Sequence, residues 1–181
     1  MVFTDPSLEA GERIHFLAPY YPYWENKARR LRNARFDAFS GLILDLKKKQ
    51  GPALLYFYRR IDPLLNQKIV ICSVPSSDPS KLEPGIRLLG MRLALNDRTD
   101  GTACLVRTDA IPAAHQGGPR DVGLHLYSIT VNDPEGIIPD SEILLLDDVT
   151  TSGASMIASR QLLLKAGASS VKCLALGETT R

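Results

Sequence analysis

Residues 68–74 (KIVICSV) form a short, nearly continuous run of β-branched apolar side chains, the pattern of a strand buried on both faces. Turn formers occupy 75–79 (PSSDP), and 84–95 repeat apolar positions at helical spacing, with Ile86, Leu89 and Leu93 predicted to face inward. A strand is predicted at 103–106, and 125–131 alternate as an exposed edge strand would. Between them, 109–123 hold two prolines and three glycines with no apolar periodicity, which predicts a mobile loop. The strongest pattern comes late. Residues 142–146 (EILLL) read as a buried strand, 147–152 as a polar turn, 153–166 as a helix stopped by Gly167, and 171–176 as the next strand. Earlier, 52–65 read as a helix with proline at its start and Leu55, Tyr58 and Ile61 at helical spacing. Residues 27–49 fit a helix and short strands equally well. The proline- and tyrosine-rich stretch through Trp24 reads as irregular.

Strand, loop, helix, strand is a βαβ unit, and repeated units predict an α/β protein with a mainly parallel sheet flanked by helices. Ligands of such sheets gather beyond the carboxyl ends of the strands, where Asp147 and Asp148 fall. A length of 181 residues with 44% hydrophobic content suits one core. No apolar run approaches the ~20 residues that cross a bilayer. Residues 1–12 carry three acids and one proline where a secretory signal would be basic and then apolar. Cys72, Cys104 and Cys173 stand far apart in apolar surroundings, the usage of buried thiols in a reducing compartment. A cytoplasmic protein with no membrane association is therefore expected. The formal charge is only +2, yet Lys27, Arg29, Arg30, Arg32 and Arg35 cluster, and Lys47, Lys48 and Lys49 follow. This pattern suits a solvated helix face and a basic turn, and also a surface for nucleic acid or phosphate-rich ligands.

The segment 143–155 (ILLLDDVTTSGAS) carries the candidate chemistry. A hydrophobic strand ends in two carboxylates, followed by Thr150, Thr151 and Ser152, then Gly153, Ala154 and Ser155 as a helix begins. Glycine lets the backbone approach a ligand, and a helix N-terminus offers unpaired N–H groups to an anion. The carboxylates repel that anion, so they suit a neighbouring polyol or a metal ion bound to one. A phosphate joined to vicinal hydroxyls, as in ribose 5-phosphate, satisfies both halves. A Walker B reading would need a G-x-x-x-x-G-K-[ST] loop, and the chain has none.

This segment resembles the signature of type I phosphoribosyltransferases: four apolar residues, two acids, two variable residues and a hydroxyl-rich T-T/S-G-x-T/S loop. Beyond it, Lys165, Ala166, Gly167 and Ala168 and the strand 171–176 resemble the ComF-like branch of that superfamily. The resemblance implies a phosphoribosyltransferase-like core over 68–181 beneath a small N-terminal hood, 1–67. It implies that Asp147 and Asp148 hold the ribose hydroxyls, directly or with Mg2+, and that the loop from Thr150 to Ser155 binds the 5-phosphate of phosphoribosyl pyrophosphate. By the same resemblance Ser73, Val74, Pro75, Ser76 and Ser77 line the diphosphate. His115, Gln116, Gly117 and Arg120 fall in the family's mobile loop, where Arg107 or Arg120 would close over the diphosphate and His115 would serve as an acid. Tyr20, Tyr21, Tyr23 and Trp24 read first as hydrophobic packing of the N-terminal segment, and also suit stacking on a planar acceptor base.

The implied reaction is displacement of pyrophosphate from C1 by a nitrogen nucleophile, with a homodimer as a compatible assembly. A non-catalytic phosphoribosyl pyrophosphate binder, or an accessory protein of DNA uptake, is the alternative the same resemblance implies. The chain departs from the family in two places. It cannot build the four-cysteine zinc module that many members carry, and Thr151 stands where purine-salvage members have a carboxylate, which disfavours 6-oxopurine transfer.

Overall fold

Five parallel strands make the central sheet of the computed structural model, whose described residues are 1–80, 84–110 and 121–180. In spatial order they are β1 (Ile14–Tyr20), β9 (Ser170–Thr179), β8 (Glu142–Thr150), β4 (Val70–Ser73) and β5 (Thr99–Asp100). Side chains alternate across the sheet with the period of two that extended backbone imposes. Ile71, Leu144, Leu146, Leu174 and Leu176 bury against α2 (Ala38–Lys47), α3 (Gly51–Ile61) and α4 (Gly85–Ala94). Val70, Cys72, Ile143, Leu145, Val171 and Cys173 bury on the other face, against α6 (Ala154–Lys165) and the antiparallel pair β6 (Leu105–Arg107) and β7 (Ile129–Val131). Burial on both sides is why these strands read as continuous apolar runs.

Adjacent strands β4 and β8 send their helices in opposite directions. From β4 the chain passes through α4 to β5 on one flank, and from β8 through α6 to β9 on the other. The order therefore reverses between β4 and β8, and such a reversal opens a crevice outside the carboxyl ends of the two strands. Both candidate loops, 74–80 and 151–153, leave the sheet at this point.

Several expectations are corrected. The stretch through Trp24 is not irregular throughout: it holds the short helix α1 (Pro6–Glu9) and β1, which pairs in parallel with β9 from Ile14↔Cys173 to Tyr20↔Thr179. Its Pro19 is tolerated because β1 is an edge strand that needs no donor on its open side. The first 67 residues thus contribute a strand to the main sheet. Residues 27–49 divide between β3 (Leu31–Arg32), which pairs with β2 (Trp24–Asn26), and α2. In α3 the inward positions are Ala53, Phe57 and Ile61, while Leu55 is exposed. The expected edge strand at 125–131 is mostly helix: α5 (Val122–Ser128) starts where the Asp121 carboxylate accepts the Gly123 N–H at 2.8 Å, and only 129–131 are extended. A local hydrogen bond of this kind competes with extended backbone, which alternation alone does not reveal.

Candidate functional site

The strand β8 does not stop at Leu146. It stays paired with β9 as far as Thr150↔Glu178, whereas its pairing with β4 ends at Leu146↔Ser73. One more bond, from Val74 N–H to the Leu146 carbonyl at 2.8 Å, closes that side. Asp147 and Asp148 are therefore strand residues lying just past the point where β4 leaves the sheet. The expected polar turn at 147–152 shortens to 151–153.

Because the strand continues, successive side chains point to opposite faces, and the two acids separate. Asp147 turns toward α6, where the Ser155 hydroxyl donates to its Oδ2 at 3.5 Å. Its Oδ1 accepts the N–H of Asp148 at 2.8 Å. Asp148 turns toward α2 and pairs with Lys47, Nζ to Oδ1, at 3.1 Å. The side-by-side pair expected to grip one diol is instead one carboxylate on each face.

The two environments differ electrically. Burial, then the negative charge of Asp148, pushes the Asp147 carboxyl up to about 8, against the pull of Lys47 and the Ser155 hydrogen bond. Such a group is largely protonated at neutral pH, so it can hydrogen-bond to a ligand, and a cation that binds it must displace the proton. Burial works against the Lys47 ammonium, but the charge and hydrogen bond of Asp148 outweigh it and raise its pKa. Tyr20, buried at the carboxyl end of β1, is raised by burial and lies in the fields of Lys47 and Asp148.

Beside Asp147 stands the head of α6. Gly153 adopts φ +76°, the left-handed region that favours glycine, and a Cβ there would lie 2.7 Å from Ile14 Cδ1. The first intrahelical bond runs from Ile157 N–H to the Gly153 carbonyl at 2.9 Å. The N–H groups of Ala154, Ser155 and Met156 therefore head the helix. Ser152 is a weak cap, its hydroxyl accepting the Ala154 N–H at 3.5 Å. The helix end is open to an anion. Thr151 is engaged with Thr179 at 3.1 Å, and Thr150 is buried at the end of β8, so Ser152 and Ser155 are the hydroxyls nearest to ligand space.

Across the switch point, the loop after β4 lines a cavity of about 230 Å³ together with Ser73, Ser76, Thr102, Arg107 and Asn132. Arg107 is 5% exposed, donating through Nε to the Ser76 carbonyl (3.1 Å) and through Nη1 to the Ser128 hydroxyl (2.6 Å). Among the described residues it makes no ion pair. Burial lowers its pKa, and the charge of Asp147 works the other way. Among the described residues the hydroxyl of Thr102, 3% exposed, has no hydrogen-bond partner. Asp78 and Arg87 line the same cavity, and a buried guanidinium with no ion pair among the described residues suits an oxyanion there. A larger depression of about 420 Å³ lies along the outer face of α3 and includes neither acid and neither loop.

Other expected site residues fall as follows. Ser73 and Val74 are buried, with Ser73 donating to the Thr102 carbonyl at 3.2 Å, and Pro75, Ser76 and Ser77 are half-buried. His115, Gln116, Gly117 and Arg120 lie outside the described residues. Arg107 is not a closing side chain, since its bonds fix it in place. Tyr20 belongs to the core and cannot stack on a base. Tyr23 packs edge-on against Trp24 and Phe36, and Arg35 lies over the Tyr21 ring at 4.4 Å. The basic cluster surrounds the exposed β2–β3 hairpin, with Arg32 over Tyr23 at 5.2 Å.

No group of three or more potential metal ligands converges among the described residues. With Asp147 and Asp148 on different faces, the donor set does not fit a resident all-protein Mg2+ cage. A magnesium ion arriving with a diphosphate would need only one carboxylate, since the ligand brings oxygens of its own. Sequence reasoning missed Lys47. Its place in a run of three lysines gave no signal, because only the path of α2 brings it to β8. Compared with known proteins, the chain matches no protein-family model and no curated protein sequence.

Proposed function

We infer that the chain is a phosphoribosyltransferase-type protein that binds phosphoribosyl pyrophosphate in this crevice and transfers phosphoribose to a nitrogen nucleophile. One observation carries the reading. An open helix head beside two strand-end carboxylates faces, across one switch point, a second loop backed by a buried guanidinium that has no ion pair among the described residues. Two anion sites with carboxylates between them match a sugar that carries a phosphate at one end and a diphosphate at the other.

In this reading the α6 head, Ser152 and Ser155 take the 5-phosphate, and Asp147 and Asp148 accept sugar hydroxyls. The loop after β4, with Arg107, takes the diphosphate. The C1–O bond to the diphosphate breaks and its electron pair leaves with the oxygen. The nitrogen lone pair forms the C1–N bond, and the nitrogen then loses its proton to solvent. Charge growing on the leaving group meets Arg107 already in place, so little reorganisation is needed. Magnesium, held through Asp147 and the ligand's own oxygens, would neutralise part of the diphosphate charge.

Calorimetric titration of phosphoribosyl pyrophosphate with magnesium tests the reading. Saturable binding that Asp147→Asn/Asp148→Asn abolishes is expected. Absence of binding to the folded wild-type protein removes the phosphoribosyl pyrophosphate assignment. Pyrophosphate release on addition of an acceptor then separates an enzyme from a non-catalytic binder.

A second reading, an accessory protein that binds single-stranded DNA, draws on the β2–β3 hairpin. Its five cations (Lys27, Arg29, Arg30, Arg32 and Arg35) and exposed Trp24 suit a polyanion with stacking bases. It requires binding whose affinity falls steeply with salt and which Arg29→Ala/Arg30→Ala weakens. Salt-insensitive or absent binding eliminates it.

A further inference from the structure

We propose that Lys47 is a specificity-determining residue of the sugar subsite, forming with Asp148 a paired donor and acceptor for one sugar hydroxyl; this rests on the sugar-phosphate reading above.

The placement of Lys47 is built by backbone contacts. The last turn of α2 lies so close to the start of α4 that a Cβ on Gly85 would stand 1.9 Å from the Leu46 carbonyl oxygen. Further back, a Cβ on Gly177 of β9 would stand 2.9 Å from Ile43 Cδ1 of α2. Ile43 and Leu46 are fully buried. With both neighbours locked, α2 has little freedom to shift, and Lys47 meets Asp148 across 101 positions of sequence at 3.1 Å.

Stability does not explain the pair. The Lys47 and Asp148 side chains are 42% and 23% exposed, and ion pairs this open to water add about 1 kcal/mol or less. Lys48, one residue on, shows what an ordinary surface contact on this helix looks like: it meets Asp45 three residues away at 3.7 Å, with both side chains exposed. Lys47 reaches a different element, at the place where the sheet opens to ligand.

The chemistry left over after pairing is directional. The ammonium has three N–H donors and uses one on Asp148, and the carboxylate keeps its other oxygen and further lone pairs. A hydroxyl between them donates to Asp148 and accepts from Lys47, so both of its bonding modes are satisfied. Among the described residues Asp147, on the opposite face, accepts from the Ser155 hydroxyl and the Asp148 N–H and pairs with no cation, so it offers no such couple. A sugar lacking that hydroxyl leaves the ion pair desolvated with nothing to bond. That is the asymmetry by which a site rejects a deoxy analogue.

The test uses ribose 5-phosphate and 2-deoxyribose 5-phosphate as calorimetric probes, with inorganic phosphate as a third ligand. The wild-type protein is expected to favour the ribose compound by about tenfold or more. Lys47→Met is expected to bring that ratio close to one and leave the affinity for inorganic phosphate unchanged, and Lys47→Arg to restore part of the preference. A folded Lys47→Met protein that keeps the wild-type ratio overturns the proposal while sparing the sugar-phosphate reading. A wild-type protein that binds ribose 5-phosphate without preferring it does the same. Failure of the folded wild-type protein to bind either sugar phosphate overturns both.

Discussion

Two adjacent residues of one strand, Asp147 and Asp148, occupy contrasting halves of this molecule. On the α6 face, Asp147 pairs with no cation among the described residues, and burial, helped by the negative charge of Asp148, drives it toward the protonated form. On the α2 face, Asp148 has an ammonium at 3.1 Å. The first face is assembled from neighbours in sequence: β8, the turn and α6 follow one another directly. The second is assembled from a helix about a hundred residues upstream. A doubled acid in a sequence thus need not be a doubled function, because continuation of the strand by a few residues assigns each carboxylate to its own side.

The largest effect should come from dislodging the second face. Gly85→Ala places a methyl on the Leu46 carbonyl, where backbone must move, so a cost of about 3 kcal/mol is expected. Urea unfolding should show the midpoint falling without a change in slope. If stability is unchanged, α2 is not held against α4 as described.

A smaller effect, of opposite sign, is expected on the first face. An Asp whose pKa is raised by folding favours the folded state while protonated and loses that advantage as pH climbs from about 4, its unfolded value, to about 8. Asp147→Asn should therefore stabilise the protein by about 2 kcal/mol near pH 7.5, discounted from the full shift because water reaches the half-buried carboxyl. The gain should shrink toward zero near pH 4. Thermal unfolding at both pH values checks this, and a gain that is larger in acid contradicts the environment described for Asp147.

The smallest change sharpens the same face. Gly153→Ala keeps the fold but forces an L side chain to φ +76°, for about 1 kcal/mol. Ile14 Cδ1, the nearest atom, ends a flexible side chain and gives way at little further cost. The variant should lose phosphate affinity more than stability, which parallel calorimetry and thermal melts would separate. Equal losses would make Gly153 a folding residue alone.

Much of the sheet was legible because its strands are buried on both faces and bounded by turn formers. The runs 68–74 and 142–146 contain or begin the strands they suggested, and α4 and α6 match to within a residue or two at each end. The N-terminal third was not legible. Pro19 and the tyrosines around it look like punctuation, yet on an edge strand a proline costs no hydrogen bond. The segment 125–131 misled because seven residues are too few to separate a helical period from alternation, and the Asp121 cap decided the outcome.

At the site, the sequence determined the order of chemistry along the chain: acids, hydroxyls, a glycine and a helix head, each fixed by local backbone geometry and therefore readable from neighbours. Only the tertiary structure decided which face each acid occupies, that Arg107 stands buried across the crevice, and that Lys47 arrives beside Asp148. Those contacts join residues tens to a hundred positions apart. Their distances are set by packing, through close approaches such as Gly85 on Leu46 and Gly177 on Ile43, and no local pattern encodes where two distant segments will meet.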